Sequence, residues 1–222
     1  MLNKNNRSKI KPIPLNMPSK EVFLKEEDIQ YGYNILKDYI GDKSLAGIEN
    51  CLNREGKILS KILSEIYSTP GKRRWEKGIE KYCKVSKINL IYRSDPIHGK
   101  ESVLGTASRK EICIKEIGTL AMGYVFFHEL GHVKMHLRGL GKLKGIFKSS
   151  STLEIEADIF AFEMMAKLFP TYKSYFACLL FEWSPTMYID KGKVILRGSY
   201  FEEKLYTIME RVIIFIMQIN GE

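Results

Sequence analysis

The pentapeptide His128-Glu129-Leu130-Gly131-His132 sets two imidazoles four residues apart with a carboxylate directly after the first. On a helix, positions four apart stand on one face about a turn from each other, so both rings reach a single cation while Glu129 projects beside them. Zinc suits such a set, because neutral imidazole is a good ligand for it and a three-ligand site leaves a position open for water. The cation makes that water more acidic and a neighbouring carboxylate takes its proton, which makes Glu129 the candidate catalytic base of a hydrolase. The bland alternative is a solvated helix face, and the flanks argue against it. Tyr124, Val125, Phe126, Phe127, Leu130 and Val133 surround the motif with apolar surface. Imidazoles and a carboxylate inside a buried helix need partners, and a metal provides them.

The third ligand decides the class of site. A metzincin pattern requires Gly at 135 and His at 138, where this chain has Met135 and Arg138. His136 lies about 12 Å along the helix axis from His128, too far for one ion to bind both together with His132, so it reads as a supporting side chain. His98, in a loop between Pro96 and Gly99, reads as solvated. The remaining source is the acidic segment Glu154-Ile155-Glu156-Ala157-Asp158. Glu154 and Asp158 are four apart and share a helix face, so one can ligate while the other orients a ligand histidine through its free N–H; Glu156 points away from both. Ser151 and Glu154 also match a capping box, which would tie Glu154 to its own helix terminus.

Those residues need elements to hold them. A helical pattern starts near Glu21, and Leu45, Ile48, Leu52, Leu59, Ile62, Leu63 and Ile66 recur at three- and four-residue steps up to Pro70-Gly71. A further helix surrounds Trp75, Ile79 and Tyr82. The pattern then becomes extended at 88–92, and 103–107 and 111–115 flank a polar turn as a hairpin. An apolar helix over 120–137 carries the histidines. Beyond a loop rich in glycine and lysine, helices are expected over 151–169 and 172–183, a second hairpin over 187–196, and a closing helix over 202–219. The fold class is α+β, mostly helical and zincin-like, with a small antiparallel sheet packed on the HExxH helix. Three regions follow: a mobile basic arm at 1–20, a helical region at 21–86 and a metallopeptidase domain at 87–222.

Composition excludes several classes. With 45% hydrophobic and 27% charged residues the chain is neither disordered nor fibrous. No apolar run, Val212 to Met217 included, approaches the roughly 20 residues that span a bilayer, so no membrane partner is expected. The N-terminal segment lacks the apolar stretch of a secretory signal. Cys51, Cys83, Cys113 and Cys178 form no CxxC pair and read as reduced thiols of a cytoplasmic protein. The net charge of +9 is concentrated in 1–20 and 134–148, each with five basic and no acidic side chains, so the rest of the chain carries −1. Such runs are solvated surfaces or contacts with an acidic protein or nucleic acid.

HELGH with His136 four residues on, followed by Glu154-Ile155-Glu156-Ala157-Asp158-Ile159-Phe160-Ala161 and preceded by a hairpin strand around Ile112 to Ile114, resembles the ImmA/IrrE family of metallopeptidases over roughly residues 85–170. That resemblance implies zinc held by His128, His132 and Glu154, Glu129 as catalytic base, and Asp158 as the carboxylate behind a ligand histidine. It also implies an intracellular protease, often borne by a phage or mobile element, whose protein substrate is a transcriptional repressor. Two features depart from the family. Pro170 comes nine residues after Ala161 instead of about six, and no helix-turn-helix is evident. Two rival readings are a non-catalytic, zinc-stabilised interaction protein and a nucleic-acid-binding regulator that uses the basic segments.

Overall fold

Alternating apolar spacing and helix-breaking glycines set the first elements. α1 (Glu26–Ile40) has Glu26, Glu27 and Asp28 in its first turn and Lys37 in its last, charges that complement the helix dipole, and it buries Ile29, Tyr33, Leu36 and Ile40. Gly41 ends it at a φ of 75° that only glycine adopts without strain, and its N–H bonds the Lys37 carbonyl oxygen at 2.9 Å. α2 (Asp42–Tyr67) carries the expected stripe: Ile48, Leu59, Ile62 and Leu63 are buried, with Leu45, Leu52 and Ile66 packed against them. α3 (Arg74–Ser86) adds Trp75, Ile79 and Tyr82 to the same core. The structure, a computed structural model, describes residues 24–67, 74–94, 96–98, 101–102, 104–115, 119–137, 150–183 and 187–196. The arm expected at 1–20 and the helix expected at 202–219 lie outside the described residues.

β1 (Asn89–Arg93) is followed by two short strands, β2 (Ile97–His98) and β3 (Glu101–Ser102), which pair antiparallel with each other. β4 (Gly105–Ala107) and β5 (Glu111–Lys115) form the expected antiparallel hairpin, with Thr106 opposite Cys113. β1 joins the other side of β5 in parallel, giving the order β1-β5-β4. Parallel pairing there goes beyond the antiparallel sheet that the period-two pattern suggested, since strand direction depends on where the intervening chain runs and leaves no local signature. β4 and β5 pack on α4 (Thr119–Gly131), which carries His128 and continues through a π-helical turn at His132–His136.

α4 is packed most extensively against α5 (Ser150–Leu168). Both helices are apolar nearly all round, with Tyr124, Val125, Phe126 and Phe127 of α4 and Ile155 through Phe162 of α5 buried, as expected of helices inside a core. Close approach is possible because Gly131 has no side chain: a Cβ there would lie 3.2 Å from Ala157 Cα. A 3-10 turn at Pro170–Tyr172 leads to α6 (Lys173–Trp183), and β6 (Met187–Asp190) pairs antiparallel with β7 (Lys193–Leu196) across Lys191 and Gly192, both at positive φ. That pair of positive φ angles is the signature of the tight hairpin turn that matches strand twist. The four cysteines are buried and unbridged. No helix among the described residues is long and apolar enough to cross a membrane.

Candidate active site

The Gly131–Ala157 approach fixes what α4 and α5 present to each other. His128 Nε2 and His132 Nε2 lie 3.1 Å apart, and Glu154 Oε2 lies 3.2 Å from the first and 3.4 Å from the second. Among the described residues these three form a group that could hold a metal ion. A cation bound tetrahedrally at about 2.0–2.1 Å by nitrogen and oxygen donors separates those donors by about 3.3 Å, and the three edges agree with that to within about 0.2 Å. The protons agree as well. The Nδ1–H of His128 donates to the Asp158 carboxylate at 2.7 Å, so the atom turned into the group is Nε2, which presents a lone pair to a metal whenever the ring is neutral. Two imidazole nitrogens and a carboxylate oxygen at such distances repel one another unless protons or a metal cation lie among them.

Of the two carboxylates that share a face of α5, Glu154 is 52% exposed and Asp158 only 5%. Glu154 therefore stands at the opening of the site and Asp158 behind His128. Burial by itself would raise the pKa of Glu154, but the facing imidazoles of His128 and His132 outweigh it and hold the group well below the usual carboxylate range. Its oxygen is anionic, as a ligand must be. Glu154 is engaged by both histidines.

Glu129 is buried beside the group and lies against β4. A Cβ at Gly105 would come within 2.7 Å of Glu129 Oε1 and 2.8 Å of its Cγ, so the strand passes the carboxylate at a point where only glycine fits. Burial pushes the pKa of Glu129 up, opposed by His128 and His132 and reinforced by the negative charges of Glu154 and Asp158. A carboxyl whose affinity for a proton is increased is a better general base near neutral pH.

His136 is buried, and its Nδ1 stands 3.0 Å from His132 Nδ1 while its Nε2 stands 2.9 Å from the Glu156 carboxylate. Glu156, expected to point away from the site, is buried, and its carboxylate meets His136 in the π-helical continuation of α4. Tyr124 is fully buried and its hydroxyl donates to the Asp158 carbonyl oxygen at 3.3 Å, which makes it part of the helix packing and not a group facing the opening. Sequence reasoning also missed Glu55, buried on α2, which accepts hydrogen bonds from Tyr82 and Arg54 and pairs with Lys134 Nζ at 3.1 Å. Lys134 belongs to the π-helical turn, so this ion pair ties that turn to the N-terminal helices.

Two packed helices that gather two histidines, a half-exposed carboxylate and buried carboxylates behind them define a HExxH-type site on an α+β, mostly helical scaffold. The chain belongs to the Peptidase U49 family, whose model matches residues 62–188 and so covers more than half of it, including every residue of the site. The match establishes a peptidase family and does not extend to ImmA/IrrE. No curated protein and no solved structure matches the chain.

Proposed function

We propose that the protein is a zinc-dependent endopeptidase in which His128, His132 and Glu154 hold the metal, Glu129 is the base and Asp158 orients His128. The reading is carried by the convergence of two imidazole nitrogens and a carboxylate oxygen at 3.1, 3.2 and 3.4 Å, with the far nitrogen of His128 tied to a buried carboxylate. Zinc bound there supplies Lewis acidity to a peptide carbonyl and acidity to a water molecule. Glu129 takes the proton from the attacking water as the new C–O bond forms, and returns it to the leaving amine nitrogen as the C–N bond breaks. Its burial favours holding the proton between those two steps. The outer edge of β4, beside Glu129, suits an extended peptide that adds as a further strand.

The two motifs shared with ImmA/IrrE favour an intracellular protein as substrate, first of all a transcriptional repressor of a phage or mobile element. Zinc-loaded protein would be incubated with candidate phage and mobile-element repressors and, in parallel, with a library of proteome-derived peptides, each with and without chelator. New N-termini are expected from the wild type alone. Glu129→Gln should keep its zinc and its thermal stability while cleavage falls by about 10²- to 10⁴-fold. Unchanged cleavage by metal-loaded Glu129→Gln refutes the mechanism, and a cellular effect that survives this substitution favours a non-catalytic, zinc-stabilised interaction protein.

A further inference from the structure

Each of the two proposed ligand histidines has a buried carboxylate behind it, but by different routes. Asp158 touches His128 directly. Behind His132 the chain is one residue longer: His132 Nδ1, then His136 Nδ1 at 3.0 Å, then His136 Nε2 and Glu156 Oε2 at 2.9 Å. Both His136 and Glu156 are buried, at 6% and 3% exposure, so water does not set their protonation pattern.

We infer that Glu156 and His136 form a positioning relay that holds His132 in the one tautomer able to bind the metal. This inference rests on the metallopeptidase reading above. A carboxylate only accepts, so it selects the His136 tautomer that carries its proton on Nε2; the other tautomer would press a bare lone pair against the Glu156 oxygen. His136 Nδ1 is then an acceptor, and the nitrogen facing it, His132 Nδ1, is the donor. With its proton committed to Nδ1, neutral His132 has its lone pair on Nε2, the atom 3.1 Å from His128 Nε2 and 3.4 Å from Glu154 Oε2. The order of donors from His132 through His136 to Glu156 is thus fixed from the far end.

The backbone is built for it. The residues from His132 to His136 leave the α-helical ladder for a π-helical turn, with the Leu137 N–H bonding the His132 carbonyl oxygen at 2.9 Å. Such turns re-aim side chains and recur at functional sites. Here the turn brings the second ring against the first, with centroids 5.2 Å apart, while the same second ring meets α5. Helix α5 therefore provides three separate services from alternate positions: Glu154 to the metal, Asp158 to His128, and Glu156 to His132 through His136. Orienting groups of this kind typically change metal affinity by about 10- to 100-fold.

The test begins on the wild-type protein, where folding is not in question. Long-range proton–nitrogen NMR of the zinc-loaded protein should show His132 protonated on Nδ1, and His136 protonated on Nε2 and bare on Nδ1. A His136 protonated on Nδ1 overturns the relay. Zinc affinity is then measured by chelator competition for wild type, Glu156→Leu, Glu156→Gln and His136→Phe, together with the thermal stability of each metal-free protein. Glu156→Leu and His136→Phe should lose about 10- to 100-fold in affinity, Glu156→Gln, which keeps an acceptor, should recover most of it, and the double Leu/Phe variant should be no weaker than the singles. Should Glu156→Leu lower only metal-free stability and leave zinc affinity within twofold, the pair is merely structural and the inference is wrong. A wild-type protein that binds no zinc overturns the metal reading itself, and the relay with it.

Discussion

Replacing Gly105 by alanine adds one methyl group at the place where β4 crosses the proposed base. The new Cβ would stand 2.7 Å from Glu129 Oε1, 2.8 Å from Glu129 Cγ and 2.8 Å from Val125 Cγ1. Ordinary carbon–carbon contacts lie near 3.5–4.0 Å, so strand and helix must part, or the Glu129 side chain must shift, by about 0.7 Å. Escape is blocked on the helix side, because Val125 and Glu129 occupy one face of α4 a turn apart and are only 2% and 7% exposed. Overpacking of this kind costs about 1–3 kcal/mol, which for a chain of this size lowers the melting temperature by a few degrees, up to about 10 °C. Misplacing a reacting group by about 1 Å costs about 10²-fold in rate, so a shift of about 0.7 Å should lower kcat/KM by roughly 10- to 100-fold. Zinc content should stay at the wild-type level, since neither Glu129 nor Val125 is among the three proposed ligands. The assay pairs chelator-calibrated zinc content with cleavage kinetics and a melting curve, and adds Val125→Ala, which removes one of the three contacts and should restore part of the rate. Full cleavage by Gly105→Ala at an unchanged melting temperature would falsify the placement of Glu129 against β4 as a requirement of the reaction.

Other consequences are open to measurement. His128→Ala and Glu154→Ala should lose bound zinc under conditions where the wild type retains one ion per chain; retention by Glu154→Ala removes it as third ligand. Asp158→Asn keeps the shape but weakens the acceptor behind His128, so zinc affinity should fall by about 10- to 100-fold in a competition titration, and an unchanged affinity means that Asp158 serves only the packing. Gly131→Ala places a Cβ 3.2 Å from Ala157 Cα, which is backbone and cannot swing aside, so about 1–3 kcal/mol of stability should be lost in a denaturant titration together with zinc affinity. Burial by itself would raise the pKa of Glu55, but hydrogen bonds from Tyr82 and Arg54 and the charge of Lys134 outweigh it and lower the value. A lowered folded-state pKa means stability that is present above the unfolded value of about 4.3 and lost as pH falls through the folded one. Glu55→Gln should therefore lose about 3 kcal/mol near neutral pH, having left Lys134 without its buried partner, and should show a shallower loss than wild type below about pH 4.3; parallel acid-unfolding curves for the two proteins would refute this.

HExxH was legible because everything it requires is local. Four residues make about one helical turn in any protein, so the spacing of His128 and His132 and the apolar flanks of α4 specify a buried two-histidine face before any partner is known. The same holds for the stripe of α2, the hairpin of β4 and β5, and the turn at Lys191 and Gly192, each written in a short-range period or a turn chemistry. The acidic helix was different. Its sequence put Glu154 and Asp158 on one face, set Glu156 aside, and left open which of the first two would ligate and which would stand behind a histidine, because the answer depends on how α5 crosses α4. That crossing depends on residues distant in sequence: Gly131 packs so close to Ala157 that an added Cβ would lie 3.2 Å from the Ala157 Cα. Only after it is made does Glu154 reach the opening, Asp158 stand behind His128, and Glu156 find His136. The π-helical turn is likewise a tertiary outcome. Nothing in His132-Val133-Lys134-Met135-His136 forbids an ordinary helix, and the wider turn persists where Lys134 meets Glu55 on one side and His136 meets Glu156 on the other. Local periodicity thus determined which residues can do chemistry, and the packing of two helices decided which of them stand together.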